Sequence, residues 1–236
     1  MIEANKLVKA YLGKRAVDID HLQLQNGRVY AMLGPNGSGK TTFMKMAAGL
    51  VKPTSGSIYV DGAPVSVSTR SMVAYMPTEG YFYQWMTLSD AGKYYQDFFE
   101  DFSYLDYERM LIDLELDVKM KVKTLSSGMT AKSKVAITLA RNAQIHMLDE
   151  PFNGIDLLAR DQIKNLVMQA AGRDKLLLLS SHMVEEMEDI ANSAIYMKDG
   201  KAVDCVDLKT MRRETGLSMA DKYRQIYGAA HQEVAL

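Results

Sequence analysis

The sequence contains little of what marks an exported, membrane-spanning or metal-cluster protein. It has one cysteine, Cys205, which excludes an internal disulfide and a cysteine zinc cluster. The neighbours of Cys205 are apolar or acidic, so we expect it to pack in a late strand rather than react as a thiol. No apolar run approaches the roughly 18 residues that span a bilayer, and the first residues lack a signal pattern. We therefore expect a soluble, cytoplasmic chain.

The sequence also lacks an excess of positive charge. Its 28 Lys and Arg residues against 29 Asp and Glu residues give a formal net charge of -1. No overall basic field therefore favours nucleic acid as a partner. Internal repeats and flexible linkers are absent too, and 236 residues suit one large α/β domain.

A glycine-rich loop is the most informative stretch that is present. It fits the phosphate-binding pattern G-x-x-x-x-G-K-[ST], between a predicted strand over 28–33 and a predicted helix that ends at Gly49. Such a turn directs backbone N–H groups and the positive end of the helix dipole at one anion. Lys40 can reach the β- and γ-phosphates, and the Thr41 hydroxyl can ligate Mg²⁺. The candidate phosphate-binding residues are Gly34, Pro35, Asn36, Gly37, Ser38, Gly39, Lys40, Thr41 and Thr42.

Two predicted strands deliver polar side chains at their C-terminal ends, where open α/β sheets bind ligands. The strand over 145–149 ends in Asp149, which suits Mg²⁺, and is followed by Glu150, which suits activation of an attacking water. The apolar strand that ends at Ser180 is followed by His182, whose imidazole can bond a γ-phosphate. Taken alone, a single histidine is more often structural than functional.

Two further signals are weaker. Tyr11 at a predicted sheet edge can stack on a nucleotide base, although one strand aromatic more often packs. Ser126 and Gly128 stand at the start of a predicted helix, which is a second phosphate-binding geometry without a lysine.

Aromatic residues concentrate in one region, with 12 of the 20 between Tyr75 and Tyr107. Residues 87–102 have helical spacing, and Thr87 with Asp90 resembles a capping box. A stripe on this helix predicts the core of a helical subdomain. Its members are Ala91, Tyr95, Phe98, Phe99 and Phe102. The irregular stretch over 81–85 suits partner docking and packing about equally.

In their order along nearly the whole chain, these motifs resemble the ATP-binding subunits of ABC transporters. The matching set is the P-loop over 34–42, the signature over 125–129, the strand ending in Asp149, the turn over 153–156 and His182. The resemblance implies an α/β P-loop NTPase of ABC type. A mostly parallel core sheet, an antiparallel β subdomain, an inserted helical subdomain (about 79–135) and a C-terminal helical tail (about 207–236) are expected. More narrowly, the chain looks like bacterial subunits of the bacitracin-export and YtrB-like type.

The resemblance also implies roles and partners. Tyr11 matches the base-stacking aromatic, Glu150 the catalytic carboxylate and His182 the switch histidine, while Ser126 and Gly128 would meet ATP held by a second subunit. The expected cofactors are ATP and Mg²⁺. The expected partners are a second ABC ATPase subunit and an integral-membrane permease, with the chain on the cytoplasmic face of the membrane and no nucleic acid bound.

Two departures from the family pattern stand out. The family usually has glutamine where this chain has Thr78, which still offers an oxygen to Mg²⁺, or the following Glu79 takes that part. The usual signature is Leu-Ser-Gly-Gly-Gln, so Ser127 and Met129 are changes. Two other functions therefore stay open at this point, a soluble ABC-type ATPase of an assembly process and a poorly hydrolysing regulatory subunit.

Overall fold

The computed structural model describes residues 1–228, and within them it contains ten strands and seven α-helices. The strands are β1 (Ile2–Tyr11), β2 (Lys14–Leu24), β3 (Arg28–Leu33), β4 (Ser55–Val60), β5 (Ala63–Pro64), β6 (Val73–Met76), β7 (Ile145–Asp149), β8 (Leu176–Ser181), β9 (Ser193–Lys198) and β10 (Lys201–Asp207). The helices are α1 (Lys40–Ala47), α2 (Leu88–Phe98), α3 (Tyr104–Asp113), α4 (Ser127–Leu139), α5 (Leu157–Ala170), α6 (Leu208–Thr215) and α7 (Met219–Tyr227). The last part of the predicted tail, 229–236, lies outside the described residues.

Two sheets organise the strands. The first is antiparallel, in the order β2-β1-β4-β5, and the second has the order β10-β9-β3-β8-β7-β6. In the second sheet every pair is parallel except β9 with its edge neighbour β10. The predicted fold class is confirmed, because a mostly parallel core sheet is combined with an antiparallel sheet and helices.

The parallel sheet separates two hydrophobic cores. Successive side chains of a strand point to opposite faces, so Leu177 and Leu179 of β8 join one core while Leu176 and Leu178 join the other. The first core lies under α4, α5 and the helical segment formed by α2 and α3. The second core lies under α1 and the antiparallel sheet. Burial on both faces explains why β8 reads as a continuous apolar run. The carboxyl ends of β3, β7 and β8 consequently meet at one edge.

Helix α2 begins as the sequence predicts but ends earlier. The Thr87 hydroxyl accepts from the Asp90 N–H at 3.1 Å and the Thr87 N–H donates to the Asp90 carboxylate at 2.9 Å, a complete capping box. The helix stops at Phe98, and Phe99 has extended backbone. The predicted core stripe is wrong at Phe98, whose side chain is 66% exposed, and Phe102 reaches the core from a non-helical segment.

Arg141 joins this helical segment to the parallel sheet. Its guanidinium is buried, binds both carboxylate oxygens of Asp101 at 3.0 and 3.1 Å, and donates to the Val73 carbonyl at 3.0 Å. A bidentate pair of this kind has fixed geometry. The connection between α2 and α3 is thereby attached to the start of β6.

His146 and Cys205 differ in burial because β7 is an inner strand and β10 an edge strand. His146 on β7 is fully buried and hydrogen-bonds the Arg141 carbonyl through Nε2 at 3.0 Å, as expected of a packed histidine; burial lowers its pKa to about 4. Cys205 is exposed, so the prediction that it packs is wrong. It lies on β10, which has a neighbouring strand on one side only.

No helix within residues 1–228 combines the length and the apolar composition needed to cross a membrane.

Candidate functional site

The P-loop leaves β3 at Leu33 and enters α1 at Lys40, with backbone that requires glycine at two points. Gly34 has φ 156° and Gly39 has φ 105°; a Cβ at these positions would approach the carbonyl oxygens of Met197 and Ala16 to 2.3 and 2.5 Å. The loop therefore passes closer to β9 and β2 than a larger residue allows. The loop surrounds the buried Lys40 ammonium, which donates to the Gly34 carbonyl at 2.7 Å.

A cleft of about 650 Å³ lies in front of this loop. It gathers the side chains of Tyr11, Thr78, Glu150 and His182, which come from four separate parts of the chain. The full lining is Tyr11, Lys14, Arg15, Ala16, Asn36, Gly37, Ser38, Gly39, Lys40, Thr41, Thr42, Thr78, Glu150, Asn153, His182 and Asp199. Its volume is in the range of small-molecule and cofactor sites.

Tyr11 and its neighbours form one rim of the cleft. Tyr11 ends β1, is 46% exposed, and has the Lys9 ammonium 4.9 Å from its ring centre. An exposed ring at a cleft mouth has the geometry for stacking. The basic rim residues Lys14 and Arg15 were not predicted from the sequence.

Asp149 and Glu150 occupy different environments at the end of β7. Asp149 is fully buried; its Oδ1 accepts from the Ser180 hydroxyl at 2.6 Å and its Oδ2 from the Tyr75 hydroxyl at 3.2 Å. Burial, and then the Asp149 charge, raise the pKa of Tyr75, so Tyr75 remains a donor. Asp149 is thus held as an oriented carboxylate behind the cleft rather than in its lining.

Glu150 projects into the cleft with both oxygens engaged. Its Oε2 accepts from His182 Nδ1 at 2.9 Å, and its Oε1 is 3.5 Å from the Lys40 ammonium. Burial lowers the pKa of Lys40, while the Glu150 charge acts in the opposite direction. The Glu150 N–H donates to the Ser180 hydroxyl at 2.9 Å, so Ser180 contacts both members of the carboxylate pair. Ser180 was missed by the sequence analysis.

The signature segment lies apart from the cleft lining. Ser126 is exposed and caps α4 by accepting from the Met129 N–H at 3.2 Å, and Ser127 donates to the Gly154 carbonyl at 3.2 Å. Gly128 faces the same turn, since a Cβ there would lie 3.9 Å from the Asp156 carboxylate. Neither Ser126 nor Gly128 belongs to the cleft formed by the P-loop.

Thr78 and Glu79 differ in their place relative to the cleft, although the Thr78 hydroxyl donates to the Glu79 carboxylate at 3.4 Å. Thr78 is exposed and lines the cleft, whereas the Glu79 carboxylate binds the Lys45 ammonium of α1 at 2.9 Å and lies outside the lining. Of the two residues weighed at the usual glutamine position, Thr78 is the one whose side chain lies in the cleft.

The potential metal ligands are all oxygens, from Thr41, Asp149 and Thr78. Within residues 1–228 no three His, Cys, Asp or Glu side chains cluster as a metal site. A hard cation such as Mg²⁺ is usually held by one or two protein oxygens together with phosphate oxygens and water. The donor chemistry and its place beside the P-loop fit such an ion.

Comparison with known proteins identifies the family of the chain. A family model described as ABC transporter matches residues 17–153. The uncharacterized ABC transporter ATP-binding protein YcbN of Bacillus subtilis is 32% identical over 90% of this chain and 71% of its own length. The ABC transporter ATP-binding protein YtrB of the same organism is 27% identical over 91% of this chain and 74% of its own length.

A solved structure of an ATP-binding cassette has the same fold. The dimeric ATP-binding cassette MJ0796, solved in a post-hydrolysis state with ADP and Pi bound, superposes with a TM-score of 0.79 at 21% identity, covering 88% of this chain and 99% of its own. The relationship to YtrB agrees with the narrower resemblance, while its bacitracin-export part stays a prediction. The chain belongs to the ABC transporter family, as one of its ATP-binding and ATP-hydrolysing subunits.

Proposed function

We propose that this chain is a transporter motor in which two ATP molecules are enclosed between two subunits, either two copies of this chain or one copy and a paralogue. One observation carries the proposal. The cleft holds the P-loop, Glu150 and His182, but Ser126 and Gly128 lie elsewhere on the surface. Because phosphoryl transfer requires charge stabilisation around the whole γ-phosphoryl group, the open side needs donors from another subunit.

The surface beside the signature supports a covering subunit. Leu157 and Leu158, at the start of α5, are 68% and 77% exposed. They directly follow Asp156, which lies beside the signature. Exposed apolar side chains next to polar donors are typical of an interface.

Within each site we assign the roles that the resemblance implies. The P-loop, from Gly34 and Pro35 through Asn36 to Thr42, holds the triphosphate, and Tyr11 stacks on the base. Thr41 and Thr78, with Asp149 acting through water, would hold Mg²⁺ together with phosphate oxygens, and the ion would supply charge stabilisation to the transferring group.

Glu150 is the general base in this proposal. A water bound at its carboxylate transfers a proton to Glu150 as the water oxygen bonds to the γ-phosphorus. The bond between that phosphorus and the β–γ bridging oxygen breaks, and ADP leaves with the electron pair. The Nδ1–H of His182 holds Glu150 in place for this step, and its ring lines the cleft where the γ-phosphate would lie.

The test is steady-state ATP hydrolysis by the purified chain over a range of protein concentrations. We expect the rate per chain to rise with concentration and then level off, because each site is completed by a second subunit. A rate per chain that is constant from dilute to concentrated solution would contradict the shared site. ATP binding without turnover at any concentration would favour the regulatory subunit, or a site that needs a paralogue.

An exposed aromatic surface is the proposed contact with a membrane permease on the cytoplasmic face of the membrane. It consists of Tyr83, Trp85, Tyr94 and Phe98, which are 54%, 69%, 40% and 66% exposed. Tyr83 stacks on Trp85 at 5.9 Å and Phe98 packs on Tyr94 at 4.6 Å, so the patch is continuous. Clustered exposed aromatics of this kind mark protein interfaces.

Replacing Trp85 with serine is expected to weaken co-purification with membrane proteins of the source organism by about tenfold or more, as for an aromatic anchor of an interface. Hydrolysis by the isolated chain should stay unchanged because Trp85 is not in the cleft. Leu105→Ser is the matched control, since Leu105 of α3 is also 67% exposed but is not part of the patch. Equal losses of co-purification for Trp85→Ser and Leu105→Ser would contradict a specific contact at the aromatic surface. An assembly partner without membrane segments would favour the soluble ATPase.

A further inference from the structure

A buried lysine outside the catalytic set binds the segment that carries Thr78. Lys134 lies on α4, is 6% exposed, and donates to the carbonyl oxygens of Thr78 and Glu79 at 2.9 and 3.1 Å. Its ammonium also lies 5.7 Å from the centre of the Tyr81 ring. The nearby Glu79 carboxylate pairs with Lys45 instead. A buried ammonium costs free energy unless its protons are bonded, so these two carbonyls are its compensation.

The segment that Lys134 binds has little other backbone support. Among the described residues, 77–82 neither donate nor accept a backbone–backbone hydrogen bond outside regular structure. Thr78 belongs to this segment, and its side chain lines the cleft. The position of Thr78 against the nucleotide therefore depends strongly on side-chain contacts from elsewhere.

Helix α4 connects this contact to the signature. Ser126 caps the helix, and Lys134 lies just over two turns further along, about 12 Å by helical rise. Burial lowers the pKa of Lys134, while the charges of Glu79 and Asp149 act in the opposite direction. A shift of α4 would move the Thr78 backbone with it.

We propose that Lys134 is a positioning residue for ATP hydrolysis, which holds the Thr78 backbone at the cleft and ties it to the signature helix. This inference rests on the proposed Mg²⁺ role of Thr78. The family usually has glutamine at the position of Thr78. We infer that the contact from Lys134 on α4 compensates for the shorter threonine side chain by fixing its backbone.

The test is a double-mutant cycle between Lys134→Met and Thr78→Ala, with hydrolysis measured against Mg²⁺ and ATP concentration. Met keeps an unbranched side chain one atom shorter and removes the donors. We expect Lys134→Met to lower kcat about 10- to 100-fold, as small misplacements do, with ATP affinity within about threefold. The Mg²⁺ concentration for half-maximal hydrolysis should rise. Because both changes act through Thr78, the double variant should be no slower than Thr78→Ala.

Three controls make the outcomes distinct. Lys132→Met removes another α4 lysine, which binds the Leu114 carbonyl at 3.2 Å, and should leave kcat within about twofold. Lys134→Arg keeps charge and donors and should recover most of the activity. Thermal unfolding checks the fold, and Lys134→Gln replaces Lys134→Met in the cycle if the latter does not fold.

The results separate this inference from the proposed function. Unchanged hydrolysis in Thr78→Ala would overturn the Mg²⁺ role of Thr78 and this inference with it. Two outcomes would overturn only the role of Lys134. In the first, Thr78→Ala lowers kcat but Lys134→Met does not. In the second, both lower kcat and their effects multiply in the double variant. An unchanged Mg²⁺ requirement in a slow Lys134→Met variant would also count against it, since it indicates a structural role.

Discussion

Replacing Glu150 with glutamine is expected to lower ATP hydrolysis by about 10²- to 10⁴-fold, the usual contribution of a general base. Glutamine keeps the shape of the side chain and an oxygen for the Nδ1–H of His182, but it cannot take a proton from the attacking water. ATP affinity should stay nearly the same, because Lys40 and the P-loop backbone are unchanged. The measurements are steady-state hydrolysis and equilibrium nucleotide binding on the same preparation.

Glu79→Gln is the matched comparison for this variant. Its carboxylate lies beside Thr78 of the cleft, but it pairs with Lys45 and is outside the lining. We expect its hydrolysis to stay within about threefold of the unmodified chain, as for an exposed ion pair. If Glu150→Gln kept more than half of its activity while Glu79→Gln was slow, the base would be assigned to the wrong carboxylate.

Replacing Ser126 with phenylalanine is expected to abolish ATP-dependent dimerisation. The bulky ring would occupy the place proposed for the γ-phosphate of the partner subunit's ATP. Monomer nucleotide binding should persist, because Ser126 is not in the cleft of its own chain. Size-exclusion chromatography with light scattering, with and without ATP in the Glu150→Gln background, measures the dimer fraction.

Loss of the helix cap is the competing explanation and has its own control. Ser126 caps α4, and such a cap contributes about 1 kcal/mol. Ser103 caps α3 in the same way, by accepting from the Asp106 N–H at 3.2 Å. Ser103→Phe should therefore lose a similar stability yet still form the dimer with ATP. Dimerisation of Ser126→Phe at the normal ATP concentration would contradict the shared site.

Much of the fold and of the cleft could be predicted because their signals are local. The P-loop places a strand, glycines and a helix start within a few residues, and the apolar run of β8 marks a strand buried on both faces. Glu150 and His182 follow the ends of β7 and β8, and parallel strands present these ends at one edge. Tyr11 ends a strand of the antiparallel sheet, so its place in the cleft was expected only from the family resemblance.

The supporting contacts could not be predicted, because they depend on register and on packing between distant segments. Ser180 binds Asp149 because these two residues are directly paired between β7 and β8. Lys134 reads as an ordinary helix lysine until α4 packs over the segment that carries Thr78. Phe98 was misassigned because helical spacing does not show that the side of α2 with Tyr94 and Phe98 is exposed.

The backbone at Glu150 has a consequence for the evolution of this chain. Glu150 has φ 51°, in the left-handed region that costs a non-glycine residue about 1 kcal/mol. Glycine would relieve that strain but would remove the carboxylate between Lys40 and His182. A change to glycine would therefore exchange the strained backbone for loss of the contacts with the buried Lys40 ammonium and with His182, so the backbone conformation and the carboxylate have to be inherited together.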